Sequence, residues 1–147
     1  MTLKAQISED MKTAMRAKDS VRLGTIRLLQ SAIKQREVDE RIELNDGDVI
    51  AVIEKMLKQR RDSIAAFESA NRTDLADIEK FEVTVLQGYL PQQLTEDEIK
   101  VILDQVVADT GAEGVKDMGK VMAAIKPLVA GKAEMGKISG LIKARLS

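Results

Sequence analysis

The chain has 147 residues with 23 Lys and Arg against 24 Asp and Glu, no Cys, no His, no Trp, one Tyr and two Phe. That inventory excludes a disulfide framework and a thiolate zinc site, and it removes the commonest general base and the commonest metal ligand. With aromatics at 2% and prolines at two, the core has to be Leu, Ile, Val, Met and Ala, which favours packed helices over a β-sandwich or barrel.

The first helix is expected to start after Thr2, with Leu3, Ile7, Met11 and Ala14/Met15 on one stripe, and to end near Lys18. Charged Lys4, Glu9, Asp10 and Lys12 interrupt any apolar run at the start, and no stretch is long enough to span a bilayer, so the cytoplasm is the default location and no membrane partner is expected. Asp19 or Ser20 caps a second helix with Val21, Ile26, Leu28, Leu29, Ala32 and Ile33 on a broad apolar face. Its polar side carries Arg27, Ser31 and Lys34, and Arg27 with Lys34 forms a secondary basic surface. A third helix opens at Asn45, where Asp48 completes a capping box, and runs to about Ser69 with Val49, Ile53, Met56, Ile64 and Phe67 in phase. Thr73 is placed to cap a fourth helix carrying Leu75, Ile78, Val85, Leu86 and Tyr89, and Pro91 stops it because the residue before a proline avoids helical geometry.

Two charges fall inside these apolar stripes. At 100° per residue, Arg60 lies on the inward face of the third helix and Glu82 on that of the fourth. A short connection at Asn71-Arg72-Thr73 that folds the helices back antiparallel brings the two side chains level, and they are predicted to form a structural ion pair. The nearby Glu79, at i and i+3 from Glu82, raises the thought of a carboxylate pair for acid–base or metal chemistry. With no histidine and with Arg60 as counter-ion, no catalytic residue and no metal ligand is assigned.

Leu90-Pro91-Gln92-Gln93-Leu94 reads as a hinge dividing residues 1–90 from 91–147. Beyond it, Thr95 and Glu98 make a capping box for a helix with Ile99, Ile102, Leu103 and Val106 on one face, ending by Gly111. A sixth helix follows Asp117, with Met118, Val121, Met122, Ile125, Leu128 and Val129 in phase and a kink or early end expected at Pro127. A seventh begins near Glu134 and turns Ile138, Leu141, Ile142 and Leu146 inward. The chain is thus read as all-α: about four helices in an N-terminal bundle of helical hairpins, then a small three-helix module.

The last two helices open on the same phrase, Asp117-Met118-Gly119-Lys120-Val121 and Glu134-Met135-Gly136-Lys137-Ile138. The acid is expected to cap the helix and meet its positive end. A glycine one turn in costs about 1 kcal/mol of helix propensity, so either a neighbouring helix or a ligand is expected to approach the backbone at Gly119 and Gly136. Charge is segregated around the phrase. From Gly114 onward there are seven basic residues, Lys116, Lys120, Lys126, Lys132, Lys137, Lys143 and Arg145, against two acids, whereas Gln92–Glu113 has one basic residue and six acids. The basic end suits a polyanion; the alternative is that the two segments are solvated or pair with each other.

Taken in order, several of these words resemble the GatB/YqeY family across nearly the whole chain: Arg27-Leu28 with Ala32-Ile33-Lys34, Lys58-Gln59-Arg60 with Ser63, Arg72-Thr73-Asp74-Leu75 with Glu79 and Glu82, Tyr89-Leu90-Pro91, and the two Met-Gly phrases with Gly131 between them. One departure is Glu134, where the family usually has Asp. The resemblance implies a helical bundle joined to a module similar to the tail domain of the B subunit of the glutamine-dependent aminoacyl-tRNA amidotransferase, which contacts the tRNA body. The catalytic portion of that subunit has no counterpart here, so the family-level carbon–nitrogen ligase activity, with glutamine as amido donor, is not carried over and no cofactor is expected. The resemblance therefore leads to the expectation of a non-catalytic protein that binds tRNA or another structured RNA, accessory to an aminoacyl-tRNA-modifying or synthetase-type enzyme. The alternative is an adaptor that docks a partner protein in an apolar helical groove.

Overall fold

The computed structural model describes residues 1–147, which form seven α-helices and one short 3-10 turn with no strand. By contacts the chain divides into two compact units, Met1–Leu90 and Pro91–Ser147, each with its own apolar core.

In the first unit the helices are α1 (Leu3–Arg16), α2 (Ser20–Glu40), α3 (Asp46–Ser69) and α4 (Thr73–Gln87). Local chemistry sets most of their starts. Thr2 accepts from the Ala5 N–H, Asp19 accepts from Arg22, and Asn45 with Asp48 forms a reciprocal capping box. Each satisfies donors that a helix start leaves unpaired. The Leu3 N–H goes to the Asp46 carboxylate at 2.9 Å, which ties the starts of α1 and α3 together. Helix α4 starts differently from expectation. Thr73 is its first helical residue rather than its cap, and Arg72 holds the cap position without a side-chain bond to the helix. The Arg72 guanidinium bridges both oxygens of Asp74 instead, at 3.1 and 3.2 Å. Gly88 follows the last turn of α4, so the helix stops ahead of Pro91.

The core of this unit comprises Ile7 and Ala14 of α1, Ile26, Leu29 and Ile33 of α2, Val49, Val52, Ile53, Met56 and Leu57 of α3, and Val85 and Leu86 of α4, with Leu44 from the α2–α3 loop. Met15, Val21, Leu28 and Ile78 belong to predicted apolar faces but stand out in solvent, Leu28 at 52% and Ile78 at 53% exposure. In α2 the inward place falls to Thr25, which is buried with its hydroxyl donating to the Val21 carbonyl at 3.1 Å. Tyr89 closes the unit by donating its hydroxyl to Asp10 at 2.6 Å. Burial and that bond to a carboxylate hold the phenol well above the usual tyrosine range.

Arg60 and Glu82 meet across the α3–α4 hairpin, Nη2 donating to Oε2 at 3.0 Å, with only 14% and 13% of their side chains exposed. The Arg60 Nε–H and the Glu79 Oε2 are buried beside this pair without a hydrogen-bond partner.

The second unit contains α5 (Glu96–Thr110), the 3-10 turn Val115–Asp117, α6 (Met118–Val129) and α7 (Met135–Leu146). Its core is Ile99, Leu103, Val106 and Val107 of α5, Val121, Ile125 and Val129 of α6, and Ile138, Ile142 and Leu146 of α7. Leu128, predicted inward, is exposed. Helix α6 runs through Pro127 to Val129, the last residue of its apolar phase, so the early end expected at the proline does not occur. No helix of the chain is long and apolar enough to cross a membrane.

Candidate nucleic-acid interface

The basic segment of the second unit is tied down before its start and at the connection between its two helices. Helix α5 opens on the Thr95–Glu98 capping box and closes on Gly111, whose φ of +67° is a left-handed conformation that glycine adopts without strain. Before α5, the Leu94 N–H donates to the Lys132 carbonyl at 2.9 Å and the Gln93 amide donates to the Gly131 carbonyl at 2.8 Å. The α6–α7 connection, with Gly131 buried at φ +73°, is therefore held by backbone contacts while the Lys132 side chain is exposed.

Neither acid of the repeated phrase caps its helix through its side chain, which corrects the expectation for both. Asp117 turns back and accepts from the Glu113 N–H at 2.9 Å. That backbone bond, with another from Gly114 and the nearby Lys116 and Lys120, keeps the carboxyl below its ordinary range. The acid thus orders the loop leading into α6, whose Met118 N–H donates to the Val115 carbonyl of the 3-10 turn, and at the start of α7 the Glu134 side chain makes no cap bond to the helix.

Packing does not explain the glycines. A methyl group built on Gly119 or Gly136 would meet nothing within 4 Å, and the same holds for Gly140 one turn after Gly136. No neighbouring helix approaches there, so of the two explanations the sequence offered, the close helix crossing is absent.

The structure reveals more of a repeat than the opening phrase. Residues 117–129 and 134–146 align at a spacing of 17, with identical Met118/Met135, Gly119/Gly136, Lys120/Lys137, Ile125/Ile142 and Lys126/Lys143. Each copy buries three residues at four-residue spacing, Val121, Ile125 and Val129 in α6 and Ile138, Ile142 and Leu146 in α7. That spacing turns the intervening positions outward in the same way. Each helix therefore carries one outer face on which a small-residue pair, Gly119/Ala123 or Gly136/Gly140, is flanked by two lysines. Identity at Ile125-Lys126 and Ile142-Lys143 was visible in the sequence and is the signal that attention to the opening phrase alone passes over.

Lys116, Lys120, Lys126, Lys132, Lys137 and Lys143 are all exposed, and none forms a salt bridge. Arg145 departs from the set. Its Nε donates to Asp104 on α5 at 3.0 Å, and on the helical wheel it lies off the outer face of α7. The neighbouring acidic helix thus engages one of the seven basic residues and leaves the lysines to solvent. In the other unit, Arg27 and Lys34 are exposed along α2, where with Gln30 and Ser31 they line a shallow groove. No three acidic side chains of the chain converge as metal ligands would.

Among known proteins, the sequence pattern of the family described as Yqey-like protein matches residues 4–146. Three curated relatives carry the name Altered inheritance of mitochondria protein 41, mitochondrial. The protein from Lachancea thermotolerans is 39% identical over 89 residues, 60% of this chain and 48% of its own length. Those from Vanderwaltozyma polyspora and Pyrenophora tritici-repentis are 31% and 32% identical, covering 76% and 82% of this chain and 64% and 70% of theirs. The chain spans about half the length of the first of these. Their names overturn the cytoplasmic expectation, since the relatives are designated mitochondrial. The physical argument behind that expectation tested only for apolar leaders and membrane spans, whereas mitochondrial targeting segments are basic and amphipathic with no apolar run to detect.

Proposed function

Because this chain belongs to the YqeY-like family, we propose that its 91–147 unit docks on the phosphate backbone of a structured RNA, tRNA foremost, through the outer faces of α6 and α7. The observation that carries this reading is the pair of equivalent faces on which exposed lysines, free of ion pairs, flank glycines with open space above them. An ammonium group on a flexible stem contacts phosphate as a point charge. A side-chain-free backbone at a helix start lets phosphate oxygens approach the positive end of the helix closely. With two Phe, one Tyr and no Trp, the protein lacks a platform for stacking unpaired bases, so recognition is of shape and charge. The similarity to the amidotransferase tail supports tRNA as the ligand, and it supports a place for the chain beside an enzyme that acts on aminoacyl-tRNA. No catalytic residue is assigned, and the chain's part is to hold RNA.

A titration of the whole protein with folded tRNA at two ionic strengths tests the reading. If the four repeated lysines each neutralise a phosphate, affinity drops about 100-fold between 50 and 200 mM salt. No binding at the lower salt overturns the proposal; binding that ignores salt transfers the interaction to an apolar surface and a protein partner.

A further inference from the structure

Helix α2 contains a short repeat of its own. Gly24-Thr25-Ile26-Arg27 recurs seven residues later as Ser31-Ala32-Ile33-Lys34. Ile26 and Ile33 belong to the core of the first unit, at 0% and 5% exposure, and seven residues make almost two full turns. The two buried isoleucines therefore turn Arg27 and Lys34 outward along one side of the helix, about 10.5 Å apart along its axis. Gly24 and Ser31 lie beside them on the exposed surface, and a methyl group built on Gly24 would meet nothing within 4 Å. A small residue next to a free cation is also what the outer faces of α6 and α7 present.

The charges around this face are sorted. Asp19 accepts from the Arg22 N–H, and Glu37 is taken by the Lys4 ammonium at 2.6 Å and the Leu44 N–H at 3.0 Å. Asp39 accepts from the Gln35 amide at 2.9 Å, and Glu40 pairs with Arg36. Every acid of α2 and its cap is thus engaged by a donor of the first unit. Arg27 and Lys34 are exposed and form no salt bridge, although Glu37 is only one turn from Lys34.

The two cations line a groove with Gln30, Ser31, Gln35 and Val38, and no carboxylate is part of its wall. Other grooves of the same unit differ in this respect: one includes Glu43 and Asp46, another Glu37 and Glu43, a third Asp39 and Glu40. Two cations among amide and hydroxyl side chains make a surface for an anionic backbone, since Arg, Lys, Gln and Ser all donate to phosphate and ribose oxygens. A bilayer fits less well. Leu28 and Val38, at 52% and 60% exposure, are separated by Ser31 and Gln35, and α2 has no aromatic residue to anchor it at a lipid interface.

We propose that this side of α2 is a second RNA-backbone contact, the Arg27 guanidinium and the Lys34 ammonium each meeting a phosphate, with the Ser31 hydroxyl between them. This extends, and rests on, the reading of the ligand as a structured RNA.

Fluorescence titration of the full-length protein with folded tRNA from 50 to 200 mM salt reads the result. Arg27→Gln/Lys34→Gln, both at exposed positions and with a good helix former, is expected to lower the magnitude of the logarithmic salt slope by about two and to weaken binding at 50 mM salt at least about tenfold. Arg27→Lys/Lys34→Arg is expected to keep the slope. Arg16→Gln/Lys18→Gln removes the same charge from exposed, unpaired residues outside the groove and is expected to leave the slope nearly unchanged. A slope that falls with Lys120→Gln/Lys137→Gln but not with Arg27→Gln/Lys34→Gln overturns this proposal and leaves the α6–α7 interface standing; the converse leaves the α2 contact standing alone. An equal fall with Arg16→Gln/Lys18→Gln overturns it too, because the effect is then one of net charge. So does binding of phosphatidylserine-containing vesicles that needs Arg27 and Lys34 while tRNA affinity ignores both, and absence of tRNA binding at 50 mM salt overturns both readings.

Discussion

The guanidinium of Arg60 binds Glu82 with one nitrogen while its Nε–H, and the neighbouring Glu79 Oε2, are buried unpartnered. Such a pair adds little net stability, because desolvation consumes most of the attraction, but deleting one charge strands the other. Glu82→Gln is accordingly expected to cost about 2 kcal/mol in urea unfolding, below the 3–5 kcal/mol of fully buried pairs because both side chains retain some solvent contact. Tyr89 makes a different prediction. Burial and the bond to Asp10 raise its folded pKa, so its contribution is complete below the unfolded value of about 10 and is lost as pH rises through the folded one. Stability of the wild type should fall above about pH 10 more steeply than that of Tyr89→Phe, which has no phenol to ionise. Equal alkaline slopes in the two proteins would show that this hydroxyl is not the group responsible.

At the scale of the helix, the glycines of α6 and α7 separate stability from binding. Because a Cβ at either position meets nothing, Gly119→Ala and Gly136→Ala are each expected to stabilise the protein by about 0.5–1 kcal/mol, by thermal or chemical unfolding. The same methyl groups stand where a phosphate is proposed to reach the backbone, and the double substitution should weaken tRNA binding about tenfold, measured by fluorescence titration. A variant both more stable and undiminished in binding would mean the glycines serve neither purpose. Helix starts illustrate how far local pattern carries. Asn45/Asp48 and Thr95/Glu98 form the capping boxes expected of them, since donor and acceptor lie within one turn. Asp117 looks the same on paper but accepts from Glu113 instead, because the loop after Gly111 brings a second donor within its reach.

Across the whole molecule, near-neutral charge conceals an acidic α5 next to basic α6 and α7. If the repeated lysines are the phosphate contacts, Lys120→Gln and Lys137→Gln should each lower the magnitude of the logarithmic salt slope by about one, and equally, as the repeat requires. Arg145→Gln should leave the slope nearly unchanged, because its guanidinium is engaged by Asp104. A slope insensitive to the lysines would move the contact elsewhere, the Arg27 and Lys34 surface of α2 being the next to test.

The amino-acid sequence by itself determined the all-helical class, most helix limits, the break near Pro91 and the level at which Arg60 meets Glu82. These come from hydrophobic period, capping chemistry and chain geometry, which act over a few residues or across one tight hairpin. Tertiary structure alone decided that Leu28 and Ile78 face solvent, that nothing packs on Gly119 and Gly136, and that of the basic tail only Arg145 is drawn to the acidic helix. A periodic pattern names a face to within about a quarter turn; which edge of that face is covered depends on neighbours brought in from distant parts of the chain.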